Sequence, residues 1–260
     1  MSLLFRAKTE EGYTVKILSE LLQNIIRLAS FEITPSGVLL RMMDGNRRTL
    51  VDIVMEASNF KVYELHSNTM FIGINLAHLH RMLKSMKKKD TLTMSIHASE
   101  PDQLRLEVCP KDRSLVTVSY VHIKQVQNIQ TPLPTGYGNP VNIMSAEYQR
   151  SMKDLGSIDD KIRITMYPFA VKFCCSVDKL FSREVLLGES DNVSEVILFD
   201  DIFETEQLMR IQKMSGLGNN LKIYGTPGQA LMMQSDIGGL GTVSIYIKPY
   251  EASRNELMNG

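Results

Sequence analysis

The side chains best placed to do chemistry are cations that recur at helical spacing. Arg81 and Lys84, Arg150 and Lys153, and Arg210 and Lys213 each stand three residues apart. Each pair therefore shares one face if its segment is helical. Apolar residues take the opposite positions: Leu79, Met82 and Leu83; Tyr148, Met152 and Leu155; Leu208 and Ile211. Lys16 lies in a fourth segment of this kind, and Lys87-Lys88-Lys89 follows the segment of Arg81. A cationic face turned away from an apolar one can meet nucleic-acid phosphates without sequence preference. It can also be an ordinary solvated helix face, and Glu20, Asp154 and Glu206 dilute its charge. Both readings stand on spacing alone. No zinc finger, recognition helix or RNA-stacking aromatic motif is present to read bases.

Other chemistry finds little support. His78 and His80 are two apart on a helical segment, which does not make the i,i+4 metal pair. Cys109, Cys174 and Cys175 form no CxxC pair, and an odd count is a poor disulfide framework. Cys174 and Cys175 are neighbours on a strand, so they point to opposite faces and read as reduced packing residues. Gly216-Leu217-Gly218 and Gly238-Gly239-Leu240-Gly241 lack the spacings that cradle phosphates and read as turns. Asp200-Asp201 reads as a turn and helix start rather than a cation site. No catalytic residue, metal or cofactor is expected.

The elements that must position the cations follow one pattern twice. A helix over Tyr13–Leu22 is followed by strands from Phe31 to Asp44, then a helix over Leu76–Lys84. The second half has a helix over Ala146–Leu155, strands, then a helix over Thr205–Lys213. Aligning Leu79 with Leu208 brings Arg81 onto Arg210 and Lys84 onto Lys213. Internal repeats of this sort set the architecture. Alternating apolar residues predict strands at 50–56, 92–96, 104–108, 114–121, 161–166, 194–199 and 242–247. The gaps between strands are mostly too short for βαβ crossovers. The class is therefore α+β, with antiparallel sheets and two helices in each half. Three prolines and two glycines within residues 127–140 forbid regular structure there. We expect an N-terminal domain over 1–124, a connecting loop over 125–140 and a C-terminal domain over 141–260. Ile129, Leu133 and Tyr137 of the loop are available to pack or to bind.

Twenty-nine basic and 29 acidic residues give zero net charge. That argues against a uniformly basic coat but leaves room for a local stripe. No apolar run approaches the roughly 18 residues of a membrane span. Met1–Arg6 does not read as a signal peptide, so intracellular residence is expected.

These features together resemble the proliferating cell nuclear antigen family of DNA sliding clamps. The resemblance spans nearly the whole chain. Its motifs are Phe31-Glu32-Ile33-Thr34-Pro35-Ser36-Gly37-Val38, Met43-Asp44, and Gly73-Ile74-Asn75-Leu76 leading to Leu83-Lys84. In the second half they are Ser145-Ala146-Glu147-Tyr148, Arg150, Asp154-Leu155, Val171-Lys172-Phe173 and Tyr246-Ile247-Lys248-Pro249. The resemblance implies two similar domains per subunit and a homotrimeric ring, with helices lining a hole for duplex DNA. It implies a processivity factor without enzymatic activity. Its partners would be double-stranded DNA, a DNA polymerase, a clamp loader and other proteins carrying a short Gln-x-x-aliphatic-x-x-aromatic-aromatic peptide.

It also implies site residues. Lys16, Arg81, Lys84, Arg150, Lys153 and Lys213 match hole-lining cations; Arg210 stands where the family has an apolar or aromatic residue. The peptide pocket maps onto Met43, Ile129, Ala230, Tyr246, Lys248 and Pro249. Subunits would pair through the strand holding Val116, Val118 and Tyr120 and the strand holding Arg183, Val185 and Leu187. Such pairing would cover exposed strand edges. Arg47-Arg48 departs from the family at the pocket rim, and the neutral charge departs from its acidic eukaryotic members. A divergent member is implied, viral, archaeal or from a distant eukaryote, acting in a nucleus, a viral replication site or an archaeal cytoplasm. Two alternatives remain: a clamp-fold chain acting as a monomer or in a heteromeric ring, and a metal-dependent nucleotide hydrolase.

Overall fold

The computed structural model describes residues 2–111, 115–124, 126, 131–178, 180–189 and 196–250. Its contacts divide the chain into two units. The first gathers Met1–Met42, Val51–Thr131 and Asp236–Val243; the second gathers Met43–Leu50, Pro132–Ser235 and Ser244–Gly260.

The first part of the chain runs β1 (Leu3–Thr9), α1 (Gly12–Gln23), β2 (Leu28–Thr34), β3 (Gly37–Met43) and β4 (Thr49–Glu56). It continues with β5 (Val62–Leu65), β6 (Met70–Asn75), α2 (Leu76–Leu83), β7 (Thr91–His97), β8 (Glu100–Cys109) and β9 (Thr117–Lys124). The later part repeats the order: β10 (Val141–Met144), α3 (Ser145–Leu155), β11 (Lys161–Met166), β12 (Ala170–Val177), β13 (Phe181–Gly188) and β14 (Phe199–Glu204). It ends with α4 (Thr205–Arg210), β15 (Asn220–Tyr224), β16 (Leu231–Asp236) and β17 (Gly241–Ile247). The doubled pattern and the α+β class expected from sequence are thus present.

In the first unit the strands lie in the order β4-β3-β2-β6-β9-β8-β7-β1-β5. The second has β10-β15-β16-β17 and a four-stranded sheet, β13-β12-β11-β14. Each helix buries its apolar stripe. Val15, Leu18, Leu21 and Leu22 of α1 and Leu76, Leu79 and Leu83 of α2 are buried. In α3 the buried residues include Tyr148, Met152 and Leu155. Tyr148 is fully buried, and its hydroxyl donates to the Leu208 carbonyl at 2.9 Å, joining α3 to α4. A buried phenol needs such a partner. Asn75 caps α2 by accepting from the Ala77 and His78 amides, a device that contributes about 1 kcal/mol.

Three sequence expectations require correction. The helix over Thr205–Lys213 breaks: α4 stops at Arg210, Ile211 leaves helical geometry (φ −96°, ψ 1°), and a 3-10 turn follows over Gln212–Gly216. Arg210 and Lys213 therefore do not share one continuous α-helical face. The strand expected at 194–199 begins only at Phe199; Val196, Ile197 and Leu198 are exposed and precede it, and 194–195 lie outside the described residues. Asp200-Asp201 consequently belongs to β14 rather than to a turn. Asp200 accepts from Arg163 and from Thr165 across the β11–β14 pair. The Arg163 hydrogen bond holds its carboxyl below the usual carboxylate range.

The Gly37 position explains one of the sequence motifs. Thr34 pairs with Gly37 across the tight β2–β3 turn, and Gly37 has φ 151°. A Cβ built there would collide with the Met55 carbonyl oxygen. Gly37→Ala should lower stability by about 2 kcal/mol or more. Gly138→Ala, where a Cβ meets nothing within 4 Å, should leave it unchanged. Urea midpoints of the two variants check this, and equal midpoints would remove the steric constraint.

Candidate functional site

The cations sort into two kinds. Arg81 and Lys84 are exposed beside α2's buried leucines, and Arg150 and Lys153 are exposed on α3. None of the four makes an ion pair among the described residues. A long side chain in water with no carboxylate beside it is ready to meet an external anion. The other three are held within the protein. Lys16 is half-buried; its ammonium donates to the Met86 carbonyl at 3.2 Å and lies 5.1 Å from the Tyr13 ring centroid. Arg210 is half-buried and pairs with Glu206 one turn earlier at 2.5 Å. Lys213 is half-buried in the 3-10 turn. Lys87, Lys88 and Lys89 add an exposed basic loop, shaped by the Asp90 carboxylate accepting from the Lys87 amide at 2.8 Å.

A second constellation lies wholly in the second unit. Leu50, Met232 and Tyr246 form a buried apolar cluster, with Met43, Leu133, Tyr137, Tyr224 and Ala230 packed partly buried against it. Met43 and Leu50 stand at the two ends of the β3–β4 loop, and Tyr224 pairs with Met232 across β15 and β16. The extended segment over 132–140 is fastened here. Tyr137 donates its hydroxyl to the Ala230 carbonyl at 2.7 Å, and Gln229 donates to the Thr135 carbonyl at 3.1 Å. The Tyr137 ring sits 6.2 Å from Tyr224 and 6.1 Å from Tyr246, at edge and tilted angles. Burial, with Tyr246 beside it, pushes the Tyr137 phenol up to about 12.

Of the pocket residues expected from sequence, Met43, Ala230 and Tyr246 come together here. Lys248 and Pro249 follow β17 outside the apolar cluster, the Lys248 amide donating to the Arg48 carbonyl at 3.0 Å. Ile129 lies outside the described residues. Sequence reasoning missed Leu50, Tyr224 and Met232. Leu50 lay in an expected strand, whereas β15 and β16, which carry Tyr224 and Met232, were not expected, and the strand register brings the three together.

The two strands expected to join subunits each carry an open edge. β9 pairs with β8 over Thr117–His122, while its other edge meets β6 only at Ile123 and Lys124. Val116, Val118 and Tyr120 are exposed. β13 pairs with β12 alone among the described strands. Arg183 is exposed and Val185 half-buried, whereas Leu187 faces its own core at 8% exposure. Leu180, Phe181 and Leu186, not singled out from sequence, are the exposed apolar residues of this edge. Among the described residues, no group of three His, Cys, Asp or Glu side chains is placed to hold a metal ion.

Known proteins share this chain's pattern. Residues 4–130 match the family model described as proliferating cell nuclear antigen, N-terminal domain. Over nearly its whole length the chain is also similar to proteins that carry that name or the name DNA polymerase sliding clamp. A protein named probable DNA polymerase sliding clamp 1, from Paramecium bursaria Chlorella virus 1, is 21% identical over 95% of this chain and 97% of its own length. The proliferating cell nuclear antigen of Dictyostelium discoideum is 26% identical over 95% and 99%. The DNA polymerase sliding clamp of Cenarchaeum symbiosum is 21% identical over 96% and 99%. The similarity thus runs through both halves of the chain.

The tyrosine cluster makes a pH prediction. In the unfolded chain Tyr137 ionises near pH 10, and in the folded chain only near pH 12. The unfolded state therefore loses its proton first, and stability falls as pH rises from 10 towards 12. Tyr137→Phe should lower stability by about 1 kcal/mol at neutral pH through the lost hydrogen bond. It should also make the alkaline fall shallower. The fall should not vanish, because burial raises Tyr63 and Tyr148 as well. Denaturant titrations from pH 8 to 12 test this; an unchanged slope would contradict the assignment.

Proposed function

We propose that this chain is a DNA sliding clamp that tethers a DNA polymerase to duplex DNA. The observation that carries the reading is the pair of exposed, unpaired cations on α2 and again on α3. They occur in a chain that resembles named sliding clamps from end to end. In this reading three copies close head to tail into a ring. The open edges of β9 and β13 supply the subunit contact, and domains over 1–124 and 141–260 form the two lobes of each copy. A heterologous contact of this kind closes into a ring when its rotation permits. Arg81, Lys84, Arg150 and Lys153 then face the DNA, and Lys16, Arg210 and Lys213, already engaged within the protein, contribute less.

Mechanism follows from magnitude. Each exposed cation meets phosphate through a salt-screened contact worth little alone. Many such contacts hold duplex in the hole without fixing register, so the ring can slide. No bond is made or broken. The Tyr246 cluster is the docking site for the partner peptide. Its aliphatic and aromatic anchors would enter between Met43, Ala230 and the loop over 125–140, with a clamp loader and polymerase among the carriers. A few buried aromatic contacts carry most of such an interface.

Two experiments test the proposal. Arg150→Glu with Lys153→Glu should shorten products on long primed templates several-fold while circular dichroism stays the same. The loss should shrink as salt rises. Unchanged product length would contradict the channel assignment. Tyr246→Ala should weaken a fluorescent Gln-x-x-aliphatic-x-x-aromatic-aromatic peptide by roughly tenfold or more. Equal affinity would take Tyr246 out of the pocket.

A further inference from the structure

The loop between Met43 and Leu50, two residues of the apolar cluster, carries two arginines, and they are not equivalent. Arg48 is half-buried and its guanidinium pairs with Glu204. Its backbone carbonyl also accepts from the Lys248 amide. Its charge is already matched and its position fixed. Arg47 is exposed, and its side chain makes no hydrogen bond or ion pair among the described residues. Of the two, only Arg47 has a charge left for a partner.

The backbone presents Arg47 deliberately. Its φ is 56°, the left-handed region that a branched or long side chain enters at a steric cost. Gly45 and Asn46 stand next to it in the same loop, the two residue types that take this conformation most easily. The conformation is held from below. The buried Asp44 carboxylate accepts from the Arg48 amide at 2.8 Å and the Thr49 amide at 3.0 Å, and the Asp44 carbonyl accepts from the Arg47 amide at 3.1 Å. A strained conformation kept by over-determined surroundings points to a use for the side chain.

We propose that Arg47 selects partner peptides that carry an aspartate or glutamate beside their apolar anchor. This rests on the reading of the Tyr246 cluster as a peptide pocket. An apolar floor with an unmatched guanidinium on the loop that joins two of its residues is complementary to an apolar anchor with a carboxylate next to it. The guanidinium fork can take such a carboxylate bidentately, which lysine cannot. A peptide with lysine there meets like charge instead and is disfavoured, so the residue discriminates by repulsion as well as attraction. Because Arg47 is exposed, the pair is screened by salt, and its effect is selection rather than bulk affinity.

The test uses the full chain and two fluorescent peptides. Both carry the Gln-x-x-aliphatic-x-x-aromatic-aromatic pattern; one has aspartate and the other lysine at the variable positions and flanks. The wild-type protein should bind the aspartate peptide roughly three- to tenfold more tightly at low salt, and the preference should shrink at high salt. Arg47→Ala should bring the two affinities together, and Arg47→Glu should reverse their order. Equal binding of both peptides by the wild type would overturn the selection while leaving the pocket intact. A preference that persists unchanged in Arg47→Glu would assign it to another residue and overturn the role of Arg47. Binding of neither peptide would overturn the pocket reading, and this inference with it.

Discussion

A β-strand with one unpaired edge is an exposed row of amide donors and carbonyl acceptors, and β9 and β13 each present such a row beside exposed apolar side chains. β9 presents Val118 and Tyr120, with Val116 just before it, and β13 presents Phe181 and Leu186, with Leu180 just before it. Proteins ordinarily blunt such edges with charge, proline or a covering element. Here the edges carry exposed apolar residues beside charges such as Arg183, and Tyr120 alone is 54% exposed. One strand meeting the other from a second copy would satisfy both rows of backbone groups and cover the apolar residues. The proposed ring is the closed solution to that constraint. The helical cations acquire a function only if the ring exists, because a single chain cannot encircle DNA.

The cationic faces and the apolar core come from the same periodicity. On α2 and α3 the residues that pack inward recur every three to four positions, and the positions between them are left to water. Arg81, Lys84, Arg150 and Lys153 occupy those positions without ion-pair partners among the described residues. Lys16 and Arg210 are drawn inward, one to the Met86 carbonyl and one to Glu206. A helix repeat thus yields chemically different cations at matching positions. The zero net charge of the chain is compatible with this, since the field at a surface depends on where charges sit.

How much of this was legible in the sequence depends on range. Helix stripes and alternating strands are local, and they located α1, α2, α3 and most strands. The break after Arg210 was not legible, since apolar spacing continues through Ile211 and Met214, both buried. The late start of β14 was hidden by Val196-Ile197-Leu198, an apolar run that alternation cannot distinguish from a strand. The apolar cluster proposed as the peptide pocket was half visible. Met43, Ala230 and Tyr246 came from family resemblance, while Leu50, Tyr224 and Met232 depend on strand register and loop packing. The contrast between Arg47 and Arg48 was out of reach, because two adjacent arginines look alike until one of them meets Glu204.

The measurement closest to the central claim is the solution mass by light scattering across a dilution series. The account predicts a species of three times the 29.4 kDa chain mass, stable to low micromolar concentration, as expected for strand edges that pair and bury apolar side chains. A single-chain mass at every concentration would mean that the β9 and β13 edges do not join copies of this chain. The ring, and the role given to the cations inside it, would then be wrong.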